Sequence, residues 1–196
     1  MDTRKTRTWA EVSLGALRHN VEEMQRALPD GCGLLGVVKA DAYGHGASEI
    51  AAALRECGCR YLAVACPQEA LALRQARETM PILILGAVDA AFASDMAAND
   101  ITLSVECAEK GRALSAALRG GERLRIHLKL DTGMGRLGFR VQDETALREA
   151  AAVAQLPNLD AEGVFTHFSV SDTPGEEEYT AAQLALFLSA VEKLEA

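Results

Sequence analysis

Short apolar runs rich in β-branched residues alternate with helix-patterned stretches along nearly the whole of this chain, and that alternation leaves few folds open to it. The runs lie at Leu34–Val38, Tyr61–Ala65, Ile82–Gly86, Ile101–Val105, Leu124–Leu130 and Leu159–Phe168. Each has the length of a strand, and Ile82-Leu83-Ile84-Leu85 is apolar at every position, as a strand buried on both faces is. The intervening stretches carry apolar residues at helical spacing: Ser48 to Cys57, Pro67 to Arg77, Ala90 to Ala98, Glu106 to Leu118, Asp143 to Gln155 and Tyr179 to Leu194. Strands and helices in this order call for a parallel sheet with right-handed crossovers. The spacing predicts an α/β fold, a (β/α)8 TIM-type barrel present only in part, with about six βα units where a closed barrel has eight. One further strand is expected at Trp9–Leu14, where apolar and polar residues alternate; Ser13 is placed to cap a helix marked by Leu17, Val21, Met24 and Leu28.

Composition narrows the partners. The chain has 196 residues, 49% hydrophobic and 24% charged, enough for one well-cored domain. A net charge of −8 argues against nucleic acid and anionic membranes, so an anionic ligand would need a local positive site. Arg4, Lys5 and Arg7 are not followed by the apolar core of a leader, and no run has the length of a membrane span. A cytoplasmic protein is expected. Five cysteines (Cys32, Cys57, Cys59, Cys66, Cys107) contain no C-x-x-C pair and read as reduced, buried thiols.

Chemistry concentrates in three places. Lys39 stands where the first strand should end, followed by Ala-Asp-Ala-Tyr-Gly-His-Gly, a loop able to bring backbone close to a ligand. Barrel enzymes place reactive groups at the C-terminal ends of their strands, and burial there favours the neutral amine that attacks a carbonyl. Lys39 reads as a Schiff-base lysine; a lysine that merely reaches solvent is the plain alternative. Next, Asp131-Thr132-Gly133-Met134-Gly135-Arg136-Leu137-Gly138 sets three glycines around one arginine directly after a long strand. Such a loop aims a guanidinium into the barrel mouth, where it suits an oxygen anion bidentately. Lys129 lies on the same face as Asp131. The third place is Val164–Ser169, with His167 inside an apolar run, a position more often held by a core histidine.

The segments Val37–Gly46 and Asp131–Gly138 closely resemble the two signature motifs of alanine racemases, and the resemblance extends from Trp9 to the last helix. That family uses pyridoxal 5'-phosphate (PLP), on the barrel of fold-type III PLP enzymes. The resemblance implies that Lys39 carries PLP, that Tyr43 donates to its phosphate, and that Leu85 and His167 line it. It implies that Arg136 approaches the cofactor's phenolic oxygen and the substrate carboxylate, held by Lys129, which is carbamylated in many members. The implied reaction interconverts L- and D-alanine, supplying D-alanine for cell-wall peptidoglycan, with Lys39 exchanging the α-proton on one face in a homodimer. Residues 1–14 correspond to a strand that in the family joins a C-terminal β domain, and 15–196 to an incomplete PLP-binding barrel. No residue matches the tyrosine that acts on the opposite face, so this chain alone is expected to racemise poorly. A serine or broad-spectrum racemase of the same fold, or a non-catalytic PLP-binding barrel, is the rival reading. His19, His45 and His127 are assigned no catalytic role.

Overall fold

The computed structural model describes residues 8–195. Six parallel strands lie side by side in the order β1 (Leu35–Val37), β2 (Tyr61–Val64), β3 (Ile82–Ile84), β4 (Ile101–Val105), β5 (Leu124–Asp131) and β7 (Leu159–Phe165). A two-residue strand, β6 (Phe139–Arg140), pairs with the end of β5. Helices Ala47–Glu56, Pro67–Gln75, Ala93–Ala98, Ala108–Ala117, Glu144–Ala154 and Glu177–Glu195 follow the six strands in turn. These are the six βα units that the spacing predicts, and they bring every C-terminal strand end to one rim.

Local chemistry sets these elements. All of β3 and β4 is buried, consistent with strands covered on both faces. Pro67 opens its helix at a position where no N–H is needed. Ser13 Oγ accepts the Ala16 N–H at 3.1 Å, and Asp143 Oδ1 that of Thr145 at 2.8 Å, each capping the helix that follows.

Away from the rim, one polar layer centres on β7. Ile126 opposes Ala161 but His127 opposes Gly163, so Glu162 is the extra residue of a β-bulge. The bulge re-aims its carboxylate, which accepts from Tyr61 Oη at 2.6 Å and Thr102 Oγ1 at 2.8 Å, with His127 Nε2 at 3.5 Å and Arg125 Nε at 3.8 Å. Burial, reinforced by the bond to Glu162, pushes the Tyr61 phenol up to about 12. Gly163 makes room for this layer: a Cβ there would lie 2.9 Å from the His127 ring.

Several expectations are corrected. Trp9–Ser13 forms no strand; it is exposed, and Leu14 already begins the helix Leu14–Ala27. Alternating polarity yields a strand only where a neighbour accepts its backbone bonds, and no described residue pairs with this segment; residues 1–7, with Arg4, Lys5 and Arg7, lie outside the described ones. The last strand ends at Phe165, so His167 stands two residues beyond it rather than inside it. Only Cys59 is buried among the five free cysteines. Among the described residues no helix is long and apolar enough to cross a membrane.

Candidate active site

Lys39 follows Val38, whose N–H still bonds Ala63 O at 2.8 Å and so prolongs the β1–β2 ladder by one residue. The chain then does something its residue types oppose. Ala40, Asp41, Ala42 and Tyr43 all take φ between 51° and 55°, one turn of left-handed helix made without glycine. Each such residue costs about 1–2 kcal/mol, so the turn must be held from outside. Ala42 N–H bonds Val38 O at 3.0 Å, Asp41 Oδ1 accepts the Ala47 N–H at 2.7 Å, and Glu69 Oε1 accepts that of Ala40 at 2.7 Å. His45 contributes as well, its Nδ1 lying 2.8 Å from Ala42 O. The turn keeps Tyr43 beside the lysine, with Lys39 Nζ 5.9 Å from the ring centroid.

The arginine loop is built from its aspartate outward. Asp131 Oδ1 accepts the N–H groups of Gly133 and Gly135, each at 3.0 Å, an arrangement short acidic side chains favour in turns. Gly138, at φ 125°, lets the chain fold back until β6 pairs with Leu130 and Asp131; a Cβ there would meet their backbone at 2.8 Å. Arg136 is left exposed at the loop's tip. The last helix grips the loop's base, Tyr179 Oη donating to Gly133 O at 2.9 Å and Gln183 Nε2 to Thr132 Oγ1 at 3.2 Å.

Lys129 and His167 complete the cluster. Lys129 is buried; its Nζ donates to Leu130 O at 3.2 Å and lies 5.0 Å from the Phe165 ring centroid. Burial draws its amine down to about 8, with Asp131 opposing and Arg136 reinforcing that shift. The imidazole of His167 is held below its ordinary value by partial burial and then by Arg136, Lys129 and Lys39, so all four groups share one electrostatic neighbourhood. Leu85 joins the same rim half-buried at the end of β3, its N–H bonded to Val64 O at 2.9 Å. In a chain of net charge −8, this is a local positive site. Glu69, Phe165 and Tyr179 were given no role by the sequence, and His45 no catalytic one; their types are common at helix starts, in strands and in loops, and only the fold brings them here.

A parallel βα sheet presenting a lysine, an arginine loop and a histidine at its C-terminal rim has the architecture of the α/β-barrel class, which places its reactive groups at that face. The chain belongs to the alanine racemase family: residues 12–196 match the model of the alanine racemase N-terminal domain. It is 40% identical over 188 residues to an alanine racemase of Desulforamulus reducens, covering 95% of this chain and 50% of that protein. Among solved structures, alanine racemase from Clostridium difficile 630 in complex with cycloserine superposes with a TM-score of 0.92 at 37% identity, over 97% of this chain and 52% of the other. A histidine racemase from Leuconostoc mesenteroides subsp. sake aligns with a TM-score of 0.79 at 30% identity, over 90% of this chain and 47% of the other. The chain thus spans about half the length of the curated relatives it matches.

Proposed function

We propose that this chain forms the lysine-bearing part of the active site of a PLP-dependent alanine racemase. The observation that carries this reading is the placement of Lys39, Lys129, Arg136 and His167 at or just beyond the C-terminal ends of the parallel strands β1, β5 and β7, on one rim. A phosphorylated, phenolic cofactor needs an amine to bind covalently and positive charge around its oxygens, and these residues fit both needs. Lys39 would hold PLP through Nζ, Tyr43 would donate its hydroxyl to the phosphate, and Leu85 and His167 would line the ring. Bound there, PLP supplies an electron sink for negative charge on the substrate α-carbon.

The chain's own residues do the rest. Arg136 fixes the substrate carboxylate through its guanidinium fork and orients the α-hydrogen. Lys39 Nζ, as a free amine, would take and return the α-proton on one face. Lys129, partly neutral near its lowered pKa of about 8, adds carbon dioxide, an N–C bond forming and a proton leaving, and its carbamate holds Arg136. Residues 1–14 meet a C-terminal β domain in the whole enzyme, a cytoplasmic homodimer supplying D-alanine for peptidoglycan.

The test uses this chain with added PLP in deuterium oxide. Lys39 is expected to take PLP that borohydride fixes, and one alanine enantiomer is expected to gain α-deuterium with little interconversion; Lys39→Ala should lose both. Rapid racemisation by this chain, or PLP fixed on another lysine, would overturn the assignment. The likeness to a histidine racemase favours one second reading, a racemase of different side-chain preference. Comparing α-deuteration of alanine, serine and histidine distinguishes the two.

A further inference from the structure

The left-handed turn after Lys39 is tied to the neighbouring strand by a single carboxylate. Glu69 sits in the first turn of the helix Pro67–Gln75. Its Oε2 accepts the N–H of Ala65, the residue after β2, at 2.7 Å; its Oε1 accepts the N–H of Ala40, the first left-handed residue, also at 2.7 Å. A glutamate at this helical position ordinarily reaches back to the N–H of the capping residue, here Cys66. Glu69 instead bridges the C-terminal ends of two adjacent barrel strands, and both bonds are charge-assisted and therefore strong.

We propose that Glu69 is a positioning residue for Lys39: by bridging the Ala40 and Ala65 N–H groups it holds the left-handed turn that keeps the lysine amine in the cationic cluster. The inference rests on the reading of Lys39 as the cofactor-bearing lysine. Glu69→Gln keeps the shape but turns an amide N–H2 toward a backbone N–H, so at most one of the two bonds survives.

The experiment compares the wild-type chain with E69Q, E69Q/A40G and, as a control on the exposed side of the same helix turn, Q68A. Three readouts are taken: the rate at which borohydride-fixed PLP accumulates on Lys39, amide hydrogen exchange at Ala40 and Ala65, and the thermal midpoint. E69Q is expected to slow Lys39 loading about tenfold, the scale of one charge-assisted bond, and to speed exchange at those two amides while the midpoint stays near wild type. Q68A should change nothing. Glycine at position 40 removes the steric cost of the left-handed conformation, so E69Q/A40G should recover most of the loading rate. Equal loading by E69Q and wild type, a uniform loss of exchange protection across the sheet, or failure of the glycine rescue would each overturn the proposal. If the wild-type chain takes no PLP on Lys39, the cofactor reading fails, and the exchange at Ala40 and Ala65 still decides whether Glu69 holds the turn.

Discussion

Lys129 is a buried amine whose hydrogen bond goes to a neutral carbonyl, and the fold bears a cost for it. Its pKa falls to about 8 from an ordinary 10.5. Between those values the unfolded chain binds the proton more fully than the folded one, so this residue makes stability rise with pH across that window. Below about pH 8 the penalty is fully present. Lys129→Met should therefore stabilise the chain at pH 7 by about 1–3 kcal/mol, scaled from ~1.4 kcal/mol per pKa unit, with the gain shrinking as pH rises toward 10. Urea unfolding of both forms in buffer freed of carbon dioxide measures this; a gain independent of pH would show that the charge is not its source.

At the scale of elements, the bulge in β7 couples three strands through one carboxylate, and Gly163 beside it is the point of least tolerance. Gly163→Ala should cost about 1–3 kcal/mol by overpacking against the His127 ring. His127→Ala in the same chain should return part of that loss, a coupling that a double-mutant cycle of thermal midpoints would register. The strands themselves were legible because continuous apolar runs such as Ile82–Ile84 have few other uses. Lys39 and Arg136 were legible because each sits just past a strand in glycine-rich company. Glu162 was not, since a bulge breaks the two-residue period that tells inside from outside. The left-handed turn was equally hidden: Ala-Asp-Ala-Tyr contains no glycine, and its conformation comes from bonds to distant Glu69 and nearby Asp41. Trp9–Leu14 alternates as a strand does but forms none here, because alternation records a preference for a sheet without supplying a neighbouring strand.

At the scale of the whole molecule, the sheet formed by the described residues has β1 and β7 unpaired with each other. Among the described residues β1 pairs with β2 alone, and its side chains Leu35 and Val37 are 39% and 40% exposed. An apolar edge strand invites pairing with another chain. This 196-residue chain should therefore self-associate with rising concentration in sedimentation velocity, and Leu35→Lys should shift it toward the monomer; an unchanged distribution would place the contact elsewhere. The grip of the last helix on the arginine loop, through Tyr179 on Gly133 and Gln183 on Thr132, has a consequence in time. Domains begin to fold while the chain is still being made, from the N-terminus onward. The turn that presents Lys39 is complete once Glu69 has emerged from the ribosome, whereas the loop that carries Arg136 waits for residues more than forty positions beyond it, so a nascent chain gains the lysine side of its site well before the arginine side.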